Sequence, residues 1–105
     1  MKAKISELVL KELRPGIKAR FFHTKNNTIG FIELQAEAIL PEHSHVHEQT
    51  TQVIEGQLEL VIDGQSQILE PGMIMCIPSN VKHSAKALTF CRVTDTFSPV
   101  REDYK

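Results

Sequence analysis

Turn-forming residues recur along this chain so closely that most of the intervals between them are too short for helices. Breaks fall at Pro15-Gly16, Asn26-Asn27, Pro41, Gly56, Asp63-Gly64, Pro71-Gly72, Pro78 and Pro99. Glycine reaches positive φ without strain and proline removes a backbone donor, so such positions end regular structure, and the runs they leave have strand length. "LELVIDGQSQILE" reads as two strands joined by Asp63-Gly64, a pair suited to a tight hairpin because both residues tolerate positive φ. "IKARFFH", "IGFIELQAEAIL", "GMIMCIP" and "LTFCRVTDTF" supply further strands. Residues 4 to 13 fit a helix or a strand equally. No repeat, linker or low-complexity stretch is present, so many short strands in one small chain predict an all-β sandwich or barrel.

Length and charge narrow the classes of function. A chain of 105 residues makes one domain, 1–105, with a single core. A net charge of -1 offers no electrostatic grip on nucleic acid. No apolar run approaches the roughly 20 residues of a membrane-spanning helix. The N-terminus has no uninterrupted apolar core or cleavage site of a secretory signal, and a cytoplasmic location is expected. Cys76 and Cys91 lie in apolar runs and are expected to be buried, unreactive thiols; spacing leaves a disulfide between them open.

"PEHSHVHEQTTQVIEG", residues 41–56, places three of the five histidines within five positions. His43 and His45 share one face of an extended chain. Gln49 can return to that face after a turn, and His83 can close a four-ligand set from a neighbouring strand. An isolated His-x-His is more often a solvated loop. His45, His47 and Gln52 form a second ligand register with a wider gap. His23 lies far away and reads as a satisfied edge residue. Near the C-terminus, Asp95 and Phe97 share parity with Cys91 and Val93, so a carboxylate and an aromatic ring enter the barrel if those two face inward. In a plain structural account Asp95 caps a turn, Phe97 fills the core and Arg101 makes a surface ion pair worth little.

The first motif runs His43-x-His45, three residues, Gln49, six residues, Gly56; the second runs Gly72, five residues, Pro78, then His83 five beyond. Together they resemble the two motifs of the cupin superfamily, small jelly-roll β-barrels that carry a metal, and the likeness spans about residues 28–98. The resemblance favours His43, His45, Gln49 and His83 as ligands, because Gly56 then falls at its expected place, and it leaves His47 at the pocket rim. It departs at Gln49, usually glutamate, at Asn80, usually glycine, and at Ala87, often asparagine. It implies one divalent transition metal, Ni, Zn, Mn, Fe or Co. Three neutral imidazoles and a neutral amide would leave its +2 charge uncompensated, which favours an anionic substrate.

The ending "TDTFSPVREDYK" is similar to that of the small pectin-degradation cupins, the KdgF-like group, which open the ring of unsaturated uronates. The resemblance implies that Asp95 shuttles a proton, that Arg101 clamps the substrate carboxylate through its planar fork, and that Phe97 packs on the sugar. Two other readings stand beside it: a metal-dependent dioxygenase, and a non-catalytic module binding a small acid or sugar. The sequence leaves the oligomeric state open; a homodimer through strand edges is one state that suits so small a barrel.

Overall fold

From Cys91 to Phe97 every second side chain is buried, the period-two pattern of a strand with one face on a core. The computed structural model describes residues 1–105 and contains ten strands. They are β1 (Lys11–Arg14), β2 (Ile17–His23), β3 (Thr28–Leu34), β4 (Ile39–His43) and β5 (Glu48–Glu55), then β6 (Leu58–Ile62), β7 (Gln65–Leu69), β8 (Ile74–Ile77), β9 (His83–Ala87) and β10 (Cys91–Ser98). All pair antiparallel, in a six-stranded sheet of order β1-β2-β3-β10-β5-β8 and a four-stranded sheet of order β4-β9-β6-β7. The inward residues of both sheets, among them Ile17, Leu34, Val53, Leu58, Leu60, Ile77 and Val93, form one apolar cluster between them. This is the expected all-β barrel.

Local chemistry sets the turns that shape it. Asp63 and Gly64 have φ of 49° and 78°, the paired positive values of a tight hairpin, and they join β6 to β7 with Ile62 opposite Gln65. Gly56, at φ 86°, turns β5 into β6 and leaves no room for a side chain, since a Cβ there would lie 2.0 Å from the Phe90 carbonyl oxygen. The stretch "IGFIELQAEAIL" is two strands rather than one. It bends at residues 35–38, where Glu37 takes φ 73° and the Ala38 N–H donates to the Gln35 carbonyl, and the chain crosses from the six-stranded sheet to the other. That crossing carries His43 to the wall opposite Asp95.

The N-terminal ambiguity resolves into a single 3-10 turn, Ile5–Glu7, followed by strand β1. One expectation is corrected: Cys76 is exposed, although Cys91 is buried, and both are free thiols. Cys76 sits on edge strand β8 opposite Thr50, on the parity that faces away from the core, and an apolar run alone does not reveal that parity.

Candidate metal centre

Strands from both sheets converge at one end of the barrel. His43 ends β4 and His83 begins β9, and the two are direct cross-strand partners. His45 follows β4 in an extended loop, pinned by the Asn80 N–H, which donates to the His45 carbonyl at 2.8 Å. Asn80 itself has φ 65°, a left-handed conformation that asparagine tolerates better than most residues, so the departure from glycine keeps the turn. Gln49 comes from β5 in the opposite sheet and is buried.

Each of the three imidazoles is oriented by a backbone carbonyl. Nδ1 of His43 meets the Pro41 carbonyl at 2.8 Å, that of His45 the His47 carbonyl at 2.9 Å, and that of His83 the Val81 carbonyl at 2.9 Å. Nδ1 must therefore carry the proton, which leaves each Nε2 with a free lone pair. The three rings offer ligand atoms within 4.8 Å of one another. His83 Nε2 is buried without any hydrogen-bond partner.

The chemistry of the donor set fits a cation. Gln49 Nε2 donates to the Thr51 hydroxyl at 2.9 Å, which turns its carbonyl oxygen toward His45 Nε2 at 3.0 Å. Two acceptors so close repel unless a proton or a metal ion lies between them. Burial lowers the pKa of His45 and His83, the positive charge of Arg101 adds to this at both, and the fold so keeps these rings neutral as metal binding requires. Neutral nitrogen and amide oxygen donors suit divalent transition ions such as Ni, Zn, Mn, Fe or Co.

The other ligand register is not assembled. Gln52 is exposed on the outward parity of β5, opposite Ile74 of β8. His47 packs beside His45 and Phe97, with ring centroids 5.5 and 6.5 Å away, but stands outside the three-histidine cluster. His23 lies on β2 with Nδ1 2.8 Å from the Thr28 hydroxyl, a satisfied histidine remote from the cluster.

A cavity of about 60 Å³ joins the cluster to the C-terminal residues; His43, Gln49, His83, Asp95 and Arg101 line its polar side, with Phe97 beside them. Asp95 points inward from β10, paired with Thr51 of β5. Burial pushes its carboxyl up to about 6, against the opposing pull of Thr51, Gln49 and the Arg101 charge. It is no surface turn cap.

Phe97 and Arg101 both line the cavity and are held by their neighbours. The Phe97 ring stands edge-on to His45 at 5.8 Å and lies under the Arg101 guanidinium at 4.7 Å, with 3% of the residue exposed. It supports those two groups while also forming part of the cavity wall. Arg101 is no surface ion pair, since its side chain is 9% exposed, yet one edge of its fork is already filled. Nε and Nη2 donate to the two carboxylate oxygens of Asp103 at 3.0 and 2.8 Å. Only the Nη1 end and one Nη2 hydrogen stay available to a ligand. Tyr104, 4.1 Å from the guanidinium on a ring face, completes the clamp. Sequence reasoning passed over Thr51, Asp103 and Tyr104. Thr51 had a signal, its parity with Gln49; the roles of the other two depend on a 3-10 turn, Glu102–Tyr104, with no periodic signature.

Comparison with known proteins agrees with this geometry. The Cupin domain family matches residues 30–97. The pectin degradation protein KdgF of Dickeya dadantii (strain 3937) is 32% identical over 97 residues, covering 90% of this chain and 88% of that protein. Among solved structures, an RmlC-like cupin from Shewanella frigidimarina NCIMB 400 superposes with a TM-score of 0.93 at 27% identity, covering 98% of this chain and 94% of that one. KdgF from Halomonas sp. superposes with a TM-score of 0.90 at 29% identity, covering 95% and 94%. A three-histidine cluster built on the cupin motifs, in a chain alike from end to end to a KdgF protein, places this protein in the cupin family as a homologue of KdgF.

Proposed function

We propose that this protein opens the ring of 4,5-unsaturated uronate monosaccharides, the products of pectin or alginate breakdown, to give 5-keto-4-deoxyuronates. The observation that carries the reading is Asp95: a carboxyl walled into the same cavity as the histidine cluster, with a pKa near 6. A group that must take up a proton and then return it works best with a pKa close to the working pH. Homology to a protein named for pectin degradation supports uronates as the substrate class.

The substrate carries a C1 hydroxyl, an enol-ether ring oxygen and a C5 carboxylate. Asp95 accepts the C1 hydroxyl proton; the C1 carbonyl forms as the bond from C1 to the ring oxygen breaks, and that oxygen leaves as an enolate. Asp95 then returns the proton to C4, and the enolate becomes the 5-ketone. The reaction is an isomerisation, with no electron acceptor and no covalent intermediate. A divalent ion held by His43, His45, Gln49 and His83 would supply fixed positive charge where the enolate develops. Arg101 holds the carboxylate through its free end, and the Phe97 and Tyr104 rings pack against the guanidinium and shield it from water.

The test is the ultraviolet absorbance of the conjugated C4=C5 bond of unsaturated galacturonate, which ring opening destroys. Metal-loaded protein should accelerate its decay without consuming oxygen. Asp95→Asn preserves shape but cannot shuttle a proton, and should keep the metal while losing about 10²–10⁴-fold in rate. Wild-type turnover in that variant removes Asp95 from the mechanism; oxygen uptake by the wild type speaks for a dioxygenase instead.

A further inference from the structure

We propose that Asp103 is the positioning residue that decides which edge of Arg101 meets a substrate carboxylate, so that the carboxylate is taken end-on through Nη1 and Nη2. The inference rests on the ring-opening reading for its substrate and adds a residue to it. Asp103 lies outside the cavity, with its side chain 59% exposed, while the guanidinium it grips is 9% exposed. The bidentate contact at 3.0 and 2.8 Å consumes the side-on fork of Nε and Nη2, ordinarily a favoured face for a carboxylate. The Phe97 and Tyr104 rings lie against the guanidinium at 4.7 and 4.1 Å on adjoining sides, their own centroids 6.0 Å apart, and limit how far it can swing. The turn that holds Asp103 is itself anchored. The Arg101 N–H donates to the Thr28 hydroxyl at 2.8 Å, the Tyr104 carbonyl accepts from Lys11 Nζ at 2.6 Å, and the Tyr104 ring stacks on Phe21 at 4.3 Å.

Asp103 also offsets part of the charge of Arg101. The pair then recognises a carboxylate by direction as well as by charge. Without Asp103 the guanidinium would keep a full positive charge and present two competing edges. A uronate would bind at least as tightly, but with its C1 hydroxyl and C4 displaced from Asp95. The signature is a split: kcat falls while KM holds or drops. A role confined to tethering the C-terminal turn would produce no such split.

The experiment uses full-length, metal-loaded wild type, Asp103→Asn and Asp103→Glu. Turnover of unsaturated galacturonate is measured together with calorimetric binding of saturated galacturonate, which cannot react, and the nitrogen-15 NMR signal of the Arg101 Nε–H. Asp103→Asn should bind saturated galacturonate as well as the wild type or better, lose about 10²-fold in kcat, as misplacement by an ångström does, and lose protection of the Nε–H. Asp103→Glu should recover most of kcat. Unchanged kcat and KM in Asp103→Asn, or a loss carried wholly by KM, overturns the proposal. If the wild type does not turn over unsaturated galacturonate, the ring-opening reading fails by itself. The positioning role is then decided by the other two measurements: an Nε–H that exchanges as freely in wild type as in Asp103→Asn, or saturated-galacturonate binding weakened by that substitution, overturns it.

Discussion

An aspartate walled into a barrel is a burden on stability that only its chemistry explains. Asp95 has a pKa of about 6 where 3.8 is ordinary, because burial disfavours the ionised form. Between those two values the folded protein holds a proton that the unfolded chain has released. Stability therefore falls as pH rises through that window, and the penalty stays constant above it. A displacement of this size corresponds to roughly 3 kcal/mol. In metal-free protein, Asp95→Asn should thus raise the unfolding free energy by roughly 2–3 kcal/mol at pH 8 and by little at pH 4, measured by urea denaturation. A variant no more stable than wild type at pH 8 would show that water or a neighbour already solvates the carboxylate. The same substitution removes the proposed proton shuttle, so a gain in stability with a loss of rate is the expected pairing.

At the scale of strands and turns, the connection between β5 and β6 is the most constrained. Gly56 combines φ 86° with a backbone oxygen where a Cβ would stand, so Gly56→Ala meets left-handed strain and a clash together. It should lower stability by roughly 3–5 kcal/mol, at the upper end of single substitutions, as seen in chemical denaturation. A loss under about 1 kcal/mol would mean the loop moves freely and does not fix β5, which carries Gln49 and Thr51. What was legible in the sequence was local. The β6–β7 hairpin follows from Asp63-Gly64, and the inward parity of Asp95 follows from Cys91 and Val93, because the side-chain period of a strand is written in the chain. What was not legible depends on distant partners. Cys76 is exposed because it falls on the outward parity of β8, the N-terminal segment becomes β1 by pairing with β2, and one edge of Arg101 is occupied by a carboxylate two residues away in a non-periodic turn. The His-x-His spacing located the cluster, but the Nδ1 contacts that aim the rings are backbone contacts with no side-chain signature.

For the whole molecule, the candidate centre ties the two sheets together. His43 and His83 belong to the four-stranded sheet, Gln49 to the six-stranded one, and His45 to the loop between them. An ion bound there is lost on unfolding, so it stabilises the fold by mass action, about 2.7 kcal/mol at a hundred times its Kd. For a domain of this size that is a rise in Tm of roughly 10–20 °C. The rise should depend on pH in one direction. His45 and His83 have pKa values below the ordinary 6.5, so between their folded values and 6.5 the unfolded chain binds more protons than the folded one, and stability is lost as pH falls. Protons also compete with the ion for each Nε2. Thermal melts with and without a chelator should therefore show a metal-dependent increment that is full at pH 8 and shrinks steadily below about pH 6.5. His83→Ala should abolish the increment. His47→Ala should keep it, because that ring stands outside the cluster. An increment that persists unchanged at pH 5, or that survives in His83→Ala and vanishes in His47→Ala, would mean that the ion is held by other residues than the four that face one another across the sheets.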